Sequence, residues 1–209
     1  MKRVLVVCGT RPEGIKLAPV VQALRHRADV FDTRLCVTGQ HREMLEPILK
    51  FFALKPDFDL ALMKPGQTLY DVTANAMLKL KPVMDEVKPH AVLVQGDTTT
   101  ALAGALAGFY EKVKVGHVEA GLRTRIKYSP FPEEMNRVLV TRLADFHFAP
   151  TETARAMLEA ERVTAGVHVT GNTVTDALLV AHKLVQARHA DEFAREFSYL
   201  QGNRRLVLV

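Results

Sequence analysis

Cysteine is scarce in this chain: two residues in 209, too few for a disulfide framework or a thiolate metal cluster. Cys8 and Cys36 both fall in apolar, strand-like runs, where buried free thiols of a reducing compartment are expected. Long apolar runs are missing too, none approaching the roughly 18 residues of a membrane span. Met1-Lys2-Arg3 and the apolar residues 4–8 imitate the start of a signal peptide. Arg11 and Glu13 follow at once without a small-residue cleavage site, so a cytoplasmic first strand is expected. The glycine spacings of a dinucleotide fingerprint or a P-loop are lacking. The histidines have no metal-ligand spacing, and no Ser-His-Asp or Cys-His grouping is legible. Lys and Arg outnumber Asp and Glu by 28 to 23 without forming a basic block. That balance suits an anionic ligand and gives no ground for nucleic-acid binding.

What is there is an alternation of apolar runs with amphipathic stretches, the pattern of a parallel α/β sheet covered on both faces. Strands are expected at residues 3–8, 33–38, 91–95, 115–118, 146–149 and 167–170. Helices are expected at 14–26, 42–52, 68–86, 99–110, 132–143 and 151–161. Pro82 falls inside the third helix, where it predicts a kink or an early stop. Thr98 and Thr151 are placed to cap the helices that follow them. After Gly171-Asn172 a further helix begins at Thr173 and runs to about Arg188. Leu206-Val207-Leu208-Val209 then reads as a buried strand with no neighbour after it. The expected organisation is one domain over 1–172. Residues 173–209 would form a linker helix and the first strand of a second, truncated domain.

Two strands end on acids: 91–95 runs into Gly96-Asp97, and 115–118 runs into Glu119. Successive parallel strands deliver their carboxyl ends to one crevice, where ligands bind, so Asp97 and Glu119 are expected to share a pocket as a general acid–base pair. The competing reading has Asp97 capping the next helix and Glu119 paired with Arg123 or Arg125. The first strand leads into Gly9-Thr10-Arg11-Pro12-Glu13, a tight entry to a helix whose free N–H groups, Arg11 and Lys16 equip it to hold an anion such as a phosphate. Glu133 and Glu134 fall at another helix start, after two prolines. Gln40-His41-Arg42-Glu43 follows the second strand at the same sheet edge. His117 reads as a hydrogen-bonded core residue.

These segments, in this order, resemble the bacterial non-hydrolysing UDP-N-acetylglucosamine 2-epimerases. The matching runs are Gly9 to Glu13, Thr38 to Leu45, Gln95 to Thr100, Gly116 to Arg123, Ser129 to Arg137, and Pro150-Thr151-Glu152 with Thr170-Gly171-Asn172-Thr173. The resemblance implies a Rossmann-like first domain of a two-domain fold like that of B-type glycosyltransferases, with the nucleotide sugar held between the domains. It implies interconversion of UDP-GlcNAc and UDP-ManNAc by expulsion of UDP, formation of 2-acetamidoglucal and re-addition. Asp97, Glu119 and Glu133 would be the catalytic carboxylates, with Arg11 and Lys16 on the substrate side. Gln40, Glu43 and Glu134 would belong to a neighbouring site where some members bind a second UDP-GlcNAc as activator. A cytoplasmic homodimer through first-domain helices, around 68–87, is implied, with no metal or cofactor. Members carry a whole second domain, so the isolated 209-residue chain is expected not to epimerise. A hydrolysing relative releasing ManNAc and UDP, or a dimerising fragment without catalysis, are the competing readings.

Overall fold

A computed structural model describes residues 1–39, 42–200 and 207. Its strands are β1 (Lys2–Cys8), β2 (Phe31–Val37), β3 (Phe58–Asp59), β4 (Ala91–Gln95), β5 (Lys114–Val118), β6 (Phe146–Ala149) and β7 (Val167–Val169). They pair in parallel, in the order β3-β2-β1-β4-β5-β6-β7. The helices are α1 (Arg11–His26), α2 (Arg42–Phe51), α3 (Leu69–Val87), α4 (Thr99–Tyr110), α5 (Glu133–Leu143), α6 (Glu152–Ala160), α7 (Thr173–Leu184) and α8 (Ala190–Glu196). A π-helical stretch, Val185–His189, joins the last two.

Alternation along the strands divides the core between two faces. Leu5 and Val7 of β1 point with Val92 and Val94 toward Leu80 and Val83 of α3 and Ala101 and Ala105 of α4. Val4, Val6 and Cys8 point the other way, toward Leu17 and Val21 of α1, Leu45 and Leu49 of α2, and Ala177 of α7. Each fully buried Val or Leu contributes about 1.5–3 kcal/mol, and these two layers fix which strand ends lie side by side. Both cysteines are buried free thiols. Among the described residues no helix is long and apolar enough to cross a membrane.

The alternating pattern predicted this sheet, with differences at its margins. β3 has only two residues, too few to register as a periodic run. α1 begins at Arg11, three residues ahead of the expected start, because Glu13 reaches back to the N–H groups of Gly9 and Thr10 (2.9 and 2.7 Å) and caps the turn. α3 does not stop at Pro82 but continues to Val87 and ends on Lys88 at φ +44°. Thr98 and Thr151 cap α4 and α6 as expected, accepting from Ala101 and Ala154 (3.0 and 3.1 Å). Of the expected strand at 206–209, only Val207 is among the described residues, and it is exposed.

Candidate active site

The strand order reverses between β1 and β4, and in a doubly wound sheet the crevice outside that reversal is the ligand site. The turn leaving β1 carries Arg11. The turn leaving β4 carries Asp97, and the one leaving the adjacent β5 carries Glu119. Gly96 adopts φ +70°, which suits glycine, and Oε2 of Glu119 lies 3.9 Å from where a Cβ on Gly96 would stand. Glu119 itself sits at φ +65°. A left-handed backbone costs a residue with a side chain roughly 1–2 kcal/mol, and such strain survives where the surroundings over-determine it, often at functional positions.

The surroundings of Glu119 do that. Lys16 of α1 reaches both carboxylate oxygens, at 2.8 Å to Oε1 and 2.6 Å to Oε2. Asn172, the cap of α7, donates to Oε1 at 3.0 Å, and Gln95 at the end of β4 donates to Oε2. Asp97 is held differently. The Arg137 guanidinium of α5 donates to its Oδ2, and the Asn136 amide donates to its backbone carbonyl at 2.8 Å. Neither alternative pairing occurs: Thr98 rather than Asp97 caps α4, and Arg123 is turned away onto Glu161 at 2.6 Å.

Glu133 opens α5 half-buried, without a hydrogen-bond or ion-pair partner among the described residues. Arg11 is exposed at the start of α1 and likewise unpaired among them. Glu134 points inward: its oxygens accept from the N–H groups of Thr124 and Arg125 (3.1 and 2.9 Å), and Arg137 lies 3.4 Å away. These donors hold its carboxyl below the usual range, although burial pushes the other way. Glu134 thus anchors the loop after β5. Glu43 is exposed in the first turn of α2, and Gln40 lies outside the described residues.

Two buried groups support the turns from behind. Glu13 accepts from Gly9 and Thr10 with one oxygen and from the Thr98 hydroxyl with the other, at 2.6 Å, so it ties the Arg11 turn to the Asp97 turn. His117 is fully buried, and its Nε2 lies 2.7 Å from the Gly96 carbonyl. Burial pulls its pKa down to about 4, so the ring is neutral near pH 7 and donates Nε2–H to that carbonyl. A cavity of about 540 Å³ beside Gly39, Leu45, Glu46, Lys50 and Asp59 is not lined by Asp97, Glu119 or Glu133.

Of the residues the sequence singles out, Asp97 and Glu119 leave adjacent strand ends and Arg11 opens α1, while Lys16, expected to face an anionic ligand, is bound to Glu119. Glu133 starts α5, the helix that supplies the Arg137 bound to Asp97. The sequence assigns no role to Gln95, Asn172, Arg137 or Glu13. Gln95 and Asn172 did leave a trace, as polar residues closing an apolar strand and opening a helix.

A family model described as UDP-N-acetylglucosamine 2-epimerase matches residues 22–209. The UDP-N-acetylglucosamine 2-epimerase of Yersinia pestis is 50% identical over 210 residues, covering 99% of this chain and 56% of that protein. The crystal structure of the Neisseria meningitidis UDP-GlcNAc 2-epimerase bound to UDP-GlcNAc superposes with a TM-score of 0.91 at 46% identity, over 97% of this chain and 55% of that one. The Methanocaldococcus jannaschii enzyme in complex with UDP-GlcNAc and UDP gives 0.84 at 36% identity, over 94% and 53%. The chain therefore spans a little over half the length of the relatives it matches. With acids at the ends of β4 and β5 and a family model matched over residues 22–209, the chain belongs to the UDP-N-acetylglucosamine 2-epimerase family.

Proposed function

We propose that this chain supplies the acid-bearing half of the cleft of an enzyme that interconverts UDP-GlcNAc and UDP-ManNAc, in the cytoplasm. The observation that supports the reading is that Asp97 and Glu119 leave the adjacent strands β4 and β5 beside the β1/β4 switch point, with Oε2 of Glu119 3.9 Å from where a Cβ on Gly96 would stand, and that Arg11, without a partner among the described residues, opens α1. No carbonyl adjoins C2 of the sugar, so its proton is not acidic enough for direct removal. Breaking the C1–O bond and expelling UDP passes through an oxocarbenium-like state that needs anions near the ring and cations near the departing diphosphate. Arg11 and the N–H groups opening α1 supply the positive end.

The hydrogen bonds divide the acids between tasks. Glu119 already accepts from Lys16 at both oxygens, from Gln95 and from Asn172. These bonds fix the position of its carboxylate beside the ring. Asp97 keeps Oδ1 clear of its bond to Arg137, and Glu133 has no hydrogen-bond or ion-pair partner among the described residues. These two can remove and return the C2 proton on opposite faces.

The test joins the chain to the remainder of such a relative and follows UDP-GlcNAc by NMR. UDP-ManNAc should form, and Asp97→Asn, Glu119→Gln or Glu133→Gln should each lower kcat by roughly 10²–10⁴-fold. Unchanged rates in all three would remove the assignment. Accumulation of free ManNAc in place of UDP-ManNAc would identify a hydrolysing enzyme.

The finer proposals concern assembly and organisation. A second copy of the chain is the partner assigned to the outer face of α3 and α4, where Tyr70, Leu78, Phe109 and Tyr110 are more than half exposed. Residues 1–172 are proposed as one domain, with 173–209 leading toward the second. Gln40, Glu43 and Glu134 are assigned to a neighbouring site for a second UDP-GlcNAc as activator.

A further inference from the structure

Asn172 makes two hydrogen bonds in opposite senses, one from each end of its amide. Its Oδ1 accepts the Val174 N–H at 3.1 Å and so caps α7, while its Nδ2 donates to Oε1 of Glu119 at 3.0 Å. Asp caps a helix as well as Asn does, but it would set a second negative charge against Glu119. Ser caps without charge and with a shorter reach. The helix that Asn172 caps rests on α1 through Ala177, buried in one cluster with Leu17 and Val21. α1 is also the helix that sends Lys16 to the same carboxylate. Glu119 is thus gripped from α1 and α7 at once, on a backbone that is left-handed.

We propose that Asn172 is a positioning residue for Glu119, joining the cap of α7 to the carboxylate so that α1 and α7 clamp the acid in place. A cap alone would require only a side-chain acceptor. The donor half of the amide is explained by Glu119. Only the catalytic consequence rests on the epimerase reading; the clamp itself does not.

The experiment compares thermal unfolding of the 209-residue chain carrying Asn172→Asp or Asn172→Ser, each with Glu119 and with Glu119→Gln. Asn172→Asp should melt below Asn172→Ser by about 2–4 °C, the shift that a modest loss of stability produces in a chain of this size. The deficit should vanish with Glu119→Gln, whose amide can donate to the new carboxylate. Equal melting of the Asp and Ser variants would overturn the proposal even if Glu119→Gln did not fold. So would a deficit that persists without the Glu119 charge. In the joined form that turns over UDP-GlcNAc, Asn172→Asp should lower kcat by about tenfold or more with KM little changed, the sign of an interaction used in the transition state. Absence of turnover in the unsubstituted form would count against the epimerase reading and leave the melting comparison decisive for the clamp.

Discussion

Glu13 is 1% exposed and holds three donors, yet burial still raises its carboxyl above the ordinary value of 4.5. The native state therefore binds its proton more tightly than the unfolded chain does. The stability tied to this group is full below the ordinary value and is lost as pH rises through the raised one. Glu13→Gln keeps the shape and removes the titration. Its melting temperature, relative to that of the parent, should climb as pH rises above the ordinary carboxyl value of 4.5. A difference that stays flat across that range would show that ionisation of Glu13 in the fold costs nothing. Asp97 and Glu119 could be picked out as residues because an acid ending an apolar strand breaks the pattern. Their partners could not. Lys16 and Glu119 are 103 positions apart, and nothing local in either segment names the other.

At the scale of the element, the turns after β1, β2 and β4 are fitted to one another. A Cβ on Gly9 would stand 2.2 Å from Thr38 Oγ1 and 2.3 Å from Thr100 Oγ1, two hydroxyls that bond to each other at 3.0 Å. Gly9 is there for close approach. Gly9→Ala should lower stability by about 1–3 kcal/mol, the usual cost of overpacking, seen as a reduced midpoint in chemical denaturation. An unchanged midpoint would mean that the threonines yield freely. Most helices were legible from their caps and apolar spacing. The start of α1 was not, because Glu13 spends its carboxylate on the turn it follows and brings Arg11 into the helix. The early stop at Pro82 does not occur for the opposite reason: packing of Leu80, Val83 and Val87 against the sheet outweighs a local helix breaker.

For the molecule as a whole, the two-sided core leaves apolar side chains on the outer surface of α3 and α4. Tyr70 is 87% and Leu78 72% exposed on α3, and α4 adds Phe109 and Tyr110. If a second copy covers this face, Leu78→Lys should shift the sedimentation profile toward monomer and leave the melting curve at high dilution unchanged. A parent chain that sediments as monomer at all accessible concentrations would remove the dimer from the proposal.

The α/β class, the order of most elements and the acids at the ends of β4 and β5 were settled by the sequence alone, since apolar period and strand-end chemistry are local properties. The lateral order of the strands was not, because parallel neighbours are chosen by which faces bury together and not by which segments follow in the chain. That order puts the β1 and β4 turns on either side of one crevice. It also decides that Lys16, Gln95 and Asn172 converge on Glu119, while Arg137 takes Asp97. Which acid is saturated and which is left with a free oxygen depends on contacts between residues far apart in sequence, and only the packed sheet brings those residues together.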